Sequence, residues 1–171
     1  MTGPVTTSPC AGVAAGTFLS GSGPVVDFGP GAVARIPGPL AAQGARRVLV
    51  VTDPGVARAG VAQRVADQMS SFGIEAVVFE GSHVEPTDHS LREAVDYGRQ
   101  NGPWDAFVAV GGGSSIDTAK AINLLTSNEG ELMDYINAPV GGGRAPEKPL
   151  KPLVAVPTTT GTGSESTTIC V

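Results

Sequence analysis

Cysteine is nearly absent. Cys10 and Cys170 stand at opposite ends of a 171-residue chain. Two thiols so placed offer no disulfide framework and no zinc-ligand spacing, and they point to a reducing compartment. Histidine is equally scarce, with only His83 and His89. Eleven basic residues face sixteen acids, and no basic block occurs. The electrostatic footprint of a nucleic-acid or anionic-membrane binder is therefore missing. No apolar run approaches the length of a membrane-spanning helix. No Lys or Arg precedes Arg35, which argues against a secretory n-region and an Arg-rich transit peptide. Glycine and proline are plentiful, at 24 and 14 residues, yet no Gly-X-Y period appears, which excludes a collagen-like fibre. Together these absences predict a cytoplasmic globular domain.

Residues 1–12 are rich in Thr, Pro, Gly and Ala and read as a flexible tail, leaving 13–171 as one α/β domain. Between 17 and 28, two short extended runs flank Gly21-Ser22-Gly23 and suggest a hairpin or an edge strand. From Arg46 onward a regular alternation begins. Val48-Leu49-Val50-Val51 is a strand buried on both faces. Val61, Val65, Met69 and Phe72 mark one face of a helix over 56–72, which Gly73 stops. Ile74–Phe79 is a second strand. Thr87 caps a helix over 88–100 that carries Leu91, Val95 and Gly98 on one side. Ala106–Val110 is a third strand, 115–127 a third helix and Leu153–Val156 a fourth strand. Residues 167–171 look like the start of a fifth. This rhythm predicts a mainly parallel sheet with helices on both faces. The pattern lapses over 128–151, apart from a short helix at 131–136, and a loop that long is more often functional than idle.

Gly111-Gly112-Gly113-Ser114-Ser115-Ile116-Asp117 follows a buried strand and opens a helix. Glycines let a backbone approach a ligand closely, and a helix N-terminus offers unpaired N–H groups and partial positive charge. Ser114 and Asp117 stand at the spacing of a capping box. The combination reads as a phosphate or pyrophosphate seat; a tight turn with no ligand is the alternative. It differs from the usual dinucleotide fingerprint, whose acid lies downstream. Here the candidate acid is upstream, at Asp53. That carboxylate can accept from ribose hydroxyls and disfavours a 2′-phosphate, favouring NAD over NADP; its alternative role is that of a turn residue before Pro54-Gly55. Thr158-Thr159-Thr160-Gly161-Thr162, after the fourth strand, offers hydroxyls and amides at the same rim, or is a solvated turn.

These residues resemble a known family. G-G-G-S-S-I-D-T-A-K (111–120) and P-T-T-T-G-T-G-S-E (157–165) are similar to the iron-containing alcohol dehydrogenases, as are V-T-D (51–53) and V-V-D-F-G-P-G-A (25–32). V-E-P-T-D (84–88), N-A-P-V-G (137–141) and P-L-K-P-L-V-A-V-P-T-T (149–159) resemble the hydroxyacid-oxoacid transhydrogenase subgroup. The resemblance implies a Rossmann-like NAD-binding domain. Gly112, Gly113, Ser114, Ser115, Ile116 and Asp117 would line the pyrophosphate and nicotinamide side. Asp53 would hold the adenosine ribose, with Thr158, Thr159 and Thr162 near the adenine end. Glu85 departs from the Asn of many relatives and is not a ligand candidate. The substrate would be a small alcohol or a hydroxy or oxo acid, and residues 17–28 could support a homodimer.

Relatives carry a further helical domain in which one Asp and three His hold a divalent metal, iron or zinc. None of those ligands falls within this chain. His83 and His89, near Glu85 and Asp88, lack a recognised metal spacing. Lys120 can reach a phosphate or sit on a solvated face. Trp104 is expected to pack at the mouth of the third strand, and Tyr135 in the core or beside a cleft. Ile169-Cys170-Val171 stops within a strand. Two readings follow. The chain is the NAD-binding half of an oxidoreductase, inactive alone, or a stand-alone domain that binds a nucleotide or phosphate without catalysis.

Overall fold

The computed structural model describes residues 16–18 and 24–167. The chain divides into two compact units, Met1–Ala32 and Val33–Val171. The tail expected at 1–12, the glycine turn at 21–23 and nearly all of the fifth strand expected at 167–171 lie outside the described residues.

In the first unit, β1 (Gly16–Phe18) pairs antiparallel with β2 (Val26–Phe28). Gly16 lies opposite Phe28 and Phe18 opposite Val26, the strand pairing anticipated for 17–28. Val26 and Phe28 are exposed.

The second unit holds α1 (Pro37–Ala42), β3 (Arg47–Thr52), α2 (Pro54–Arg58), α3 (Val61–Ser70), β4 (Glu75–Phe79) and α4 (Asp88–Asn101). These are followed by β5 (Ala106–Gly111), α5 (Gly113–Ser127), α6 (Leu132–Tyr135) and β6 (Leu153–Pro157). The four strands form one parallel sheet in the order β4-β3-β5-β6. The chain thus steps one way from β3 to β4 and the other way from β4 to β5. Crossovers of one handedness must then put their helices on opposite faces. The core obeys this. Val48 and Val50 of β3 pack with Val65, Ala66 and Met69 of α3 and Leu40 of α1. Leu49 and Val51 pack on the other face with Val95 of α4 and Ile116, Ala119 and Ile122 of α5. Every residue of β5 is buried, which is why both central strands read as unbroken apolar runs.

Two expected elements differ. The helix expected over 56–72 is divided, because Gly60 takes a left-handed φ of 71° between α2 and α3. Since α3 stops at Ser70, Phe72 leaves the buried face and is 53% exposed. Gly73 is left-handed (φ 73°), as expected of a residue that ends a helix. The helix expected from 115 begins at Gly113, with Gly112 as its N-cap. The Thr87 cap is present: Thr87 Oγ1 accepts from Ser90 N at 3.2 Å, and Thr87 N donates to Ser90 Oγ at 2.9 Å.

The end of the sheet where the strands begin is tied by Asp105. Its Oδ2 accepts from Arg46 N (2.9 Å) and Arg47 N (3.0 Å). These two backbone donors hold the Asp105 carboxyl below its ordinary range. Arg47 lies 4.5 Å over the Trp104 ring, and Trp104 Nε1 donates to Gly98 O at 2.8 Å. Trp104 is thus buried at the start of β5, as anticipated. The 128–151 segment is tethered to the same end. Asn128 Oδ1 accepts from Glu147 N and Lys148 N, and Asn123 Oδ1 accepts from Lys151 N. Tyr135 packs against the core, with its hydroxyl donating to Glu129 O at 2.6 Å.

Candidate functional site

The reversal of strand order falls between β3 and β5. In open parallel sheets the crevice outside the carboxyl ends of such a pair is where ligands bind. Asp53 follows β3 directly, and Gly112 follows β5. Val51 pairs with Ala109 and Thr52 with Val110, so the two strand ends reach the rim side by side. On the far side of β5, Gly111 pairs with Pro157, and Thr158 N donates to Gly111 O at 2.9 Å. The ladder therefore delivers Asp53, the glycine loop and the first threonine to one edge.

The first turn of α5 is open. Its N-cap, Gly112, supplies no side chain, and no side-chain hydrogen bond caps the helix. Ile116 N is the first amide to turn inward, donating to Gly112 O at 3.2 Å. The amides of Gly113, Ser114 and Ser115 precede it and are left for an external acceptor. An anion is the acceptor that suits them, because the helix dipole adds positive potential there.

The glycines permit close packing around this turn. A Cβ on Gly111 would meet Ser115 Oγ, with Ser115 Cβ at 2.7 Å and Asp53 Oδ2 at 3.2 Å. On Gly113 it would lie 3.0 Å from Ser164 Oγ and 3.2 Å from Thr162 Cβ. On Gly112 it would meet Thr159 Oγ1 at 3.2 Å. The threonine loop thus lies directly over the glycine loop, with Thr158, Thr159 and Thr162 themselves exposed.

Asp53 serves two purposes at once. Its Oδ1 accepts from Gly55 N (2.8 Å) and Val56 N (3.0 Å), capping α2. Its Oδ2 points toward α5, 3.4 Å from Ser115 Oγ. The turn role and the rim position are therefore the two oxygens of one carboxylate.

Other candidates are placed differently. The Ile116 side chain is fully buried in the core, and its amide is spent within the helix, so it turns away from the rim. Ser115 is buried with its hydroxyl on Asp53, leaving only its amide for a ligand. The capping box expected between Ser114 and Asp117 does not form, because both residues lie inside the helix. Asp117 Oδ1 instead meets Lys120 Nζ at 3.0 Å, and Oδ2 accepts from Ser164 Oγ at 3.2 Å. Lys120 is neither solvated nor aimed at the open turn. Its side chain is 11% exposed and also donates to Thr167 Oγ1 at 3.2 Å. His83 and His89 are exposed, with His89 Nε2 3.5 Å from Glu93 Oε1. No group of three or more His, Cys, Asp or Glu side chains among the described residues could hold a metal ion. The described residues therefore do not fit a metal centre.

Beneath the rim lies a buried polar seam that the sequence reading missed. Thr52 Oγ1 donates to Val110 O (2.7 Å), and Ser82 N donates to Thr52 O (3.2 Å). Ser82 Oγ lies 3.2 Å from Thr118 Oγ1, which donates to Ser114 O at 2.8 Å. Hydroxyl residues at the end of β3 (Thr52) and just past β4 (Ser82) were the available signal. A wide open cleft of about 1120 Å³, lined by Arg99, Trp104, Asn128 and Lys148 among others, lies at the other end of β5. It has no open helix N-terminus, because α4 and α5 present their C-terminal ends there.

The strand order, the uncapped α5 and the acid at the switch point define a parallel α/β domain with an open helix N-terminus at its strand-order reversal. The chain belongs to the iron-containing alcohol dehydrogenase family, whose sequence profile matches residues 24–171. It is 43% identical over 147 residues to the mitochondrial hydroxyacid-oxoacid transhydrogenase of Bos taurus, covering 85% of this chain and 31% of that protein. It is 47% identical over 140 residues to the 4-hydroxybutyrate dehydrogenase of Cupriavidus necator, covering 82% of this chain and 35% of that one. The solved sulfoacetaldehyde reductase of Bifidobacterium kashiwanohense, in complex with NAD+, superposes with a TM-score of 0.71 at 31% identity, covering 82% and 35% of the two chains. The chain spans about a third of the length of the curated relatives it matches. The fold is the Rossmann-like α/β arrangement that the resemblance implied. The cytoplasmic placement is overturned, since the transhydrogenases it matches are mitochondrial. Scarce cysteine does not tell one compartment from another.

Proposed function

We propose that this chain is the nucleotide-binding part of an NAD-dependent alcohol or hydroxy-acid oxidoreductase. The full protein would move a hydride between a small hydroxy acid and a nicotinamide, in the manner named for its transhydrogenase and 4-hydroxybutyrate dehydrogenase relatives. The observation that carries this reading is the uncapped first turn of α5 beside Asp53 at the strand-order reversal.

The amides of Gly113, Ser114 and Ser115 hold the diphosphate, and Gly112 lets it approach the backbone. Asp53 Oδ2 accepts from the adenosine ribose, which disfavours a 2′-phosphate and selects NAD over NADP. Thr158, Thr159 and Thr162 present hydroxyls to the adenosine side. The nicotinamide, when bound, supplies the hydride acceptor; this chain binds and orients it. Iron or another divalent metal polarising the alcohol would have to be held by residues other than those described here.

Calorimetric titration of the 171-residue chain with NADH tests the reading. Saturable 1:1 binding is expected, with NADPH at least about tenfold weaker, a gap of about 1.4 kcal/mol. A folded chain that binds neither nucleotide removes the proposal. The exposed Val26 and Phe28 of β2 support homodimer formation through residues 17–28. Sedimentation showing a monomer at high micromolar concentration would overturn that part.

A further inference from the structure

We infer that Ser164 is a positioning residue for nucleotide retention. It latches the far end of the threonine loop to α5 through the buried Asp117–Lys120 pair. The inference deepens the nucleotide reading above and rests on it for its effect on binding.

The loop has two anchors. Its first is the β-ladder, where Thr158 N donates to Gly111 O. Its second is the latch. Ser164 Oγ donates to Asp117 Oδ2 at 3.2 Å, Lys120 Nζ meets Asp117 Oδ1 at 3.0 Å, and the same Nζ donates to Thr167 Oγ1 at 3.2 Å. Ser164 is 9% exposed and Asp117 6%, whereas residues 158–162 between the anchors are exposed. The 3₁₀ turn Ser164–Ser166 follows left-handed Gly163, and Ser166 N donates to Gly163 O at 2.9 Å. The latch thus fixes where the threonine hydroxyls hang over the open α5 turn.

The pair also settles an electrostatic problem. A bare carboxylate little more than one turn into a helix whose N-terminus holds a diphosphate would repel it. Asp117 has one oxygen on an ammonium and the other on a hydroxyl, so its charge is balanced where it stands and its role is structural to the loop. A hydrogen bond to a charged, buried acceptor is among the stronger ones. Losing it frees the exposed span while the helix below remains packed.

The test is Ser164→Ala, with Ser164→Thr as the variant that keeps the hydroxyl. Stopped-flow NADH fluorescence should show dissociation about tenfold faster in Ser164→Ala, with association within about twofold of wild type. Ser164→Thr should stay within about twofold of wild type in both rates. In the nucleotide-free protein, NMR exchange of the Ser166 amide should be about tenfold faster in Ser164→Ala, as expected when a locally protected turn loses its anchor. Unchanged Ser166 exchange and unchanged NADH dissociation in Ser164→Ala would overturn the latch. Faster Ser166 exchange in a protein that binds no NADH would leave the latch standing and remove the nucleotide reading instead.

Discussion

Replacing Gly113 with Val tests the site where the threonine loop closes on the first turn of α5. A Cβ at Gly113 alone lies 3.0 Å from Ser164 Oγ, 3.2 Å from Thr162 Cβ and 3.3 Å from Thr162 Cγ2. Each of these is a few tenths of an ångström short of ordinary van der Waals contact, and Val adds two further methyl groups. Overpacking of this kind costs about 1–3 kcal/mol where the surroundings cannot move. Here they can move, because Thr162 is exposed and the span before it is a loop. The strain is therefore relieved by lifting the threonine loop off the helix turn, and the loss appears in binding more than in folding. Gly113→Val should raise the NADH Kd at least about tenfold, or about 1.4 kcal/mol. Its Tm should fall by only about 2–4 °C, the shift that about 1 kcal/mol makes in a domain of this size. Gly113→Ala, carrying the Cβ alone, should fall between the two. Calorimetry and thermal melts on the same samples decide it. A Gly113→Val protein that binds NADH within twofold of wild type would show that the loops do not close on a ligand at this turn.

Three further outcomes are expected. Asp53→Ala removes both the α2 cap and the rim carboxylate. It should cost about 1 kcal/mol in a urea melt, as cap deletions do, and should narrow the NADH-over-NADPH preference measured by fluorescence titration. Asp105, held below its ordinary pKa of 3.8 by the backbone N–H groups of Arg46 and Arg47, stabilises the fold above that pH. The contribution should disappear as pH falls through the lowered folded value. Acid titration of urea midpoints should therefore show a shallower loss below about pH 4 in Asp105→Asn than in wild type. Gly98→Ala should destabilise despite alanine's better helix propensity, because its Cβ would lie 2.5 Å from Ile122 Cγ2 and 3.2 Å from Thr126 Cγ2. A Tm drop of several degrees is expected, and a rise would mean that α4 and α5 do not pack so closely.

The elements that were legible in the sequence are those whose local signals agree with their tertiary surroundings. β3 and β5 are covered on both faces, so their runs are wholly apolar. The Thr87–Ser90 box closes α4 with no help from elsewhere. Periodicity failed where a backbone feature interrupted it. Gly60 divides α2 from α3, and Phe72, three residues after Met69, lies past the helix end. The grouping of Asp53, Gly112, Gly113 and the threonines at one rim was legible because small and polar residues directly after buried strands have no core to pack. The fate of Asp117 and Lys120 was hidden. Their partners, Ser164 and Thr167, lie 47 residues away in sequence. The burial around α5 was nevertheless a clue, since a lysine flanked by Ile116, Ala119, Ala121 and Ile122 has little solvent to reach.

The hydroxyl seam beneath the rim bears on how the site can move. Ser82, Thr52, Thr118 and the Ser114 carbonyl share one chain of bonds across three elements. Shifting any of them alone strands a polar atom away from water, so the end of β3, the β4–α4 connection and the head of α5 are bound to travel as one rigid block. Freedom to breathe is left to the short exposed arch between Thr158 and Gly163, the span that the proposed nucleotide would have to pass.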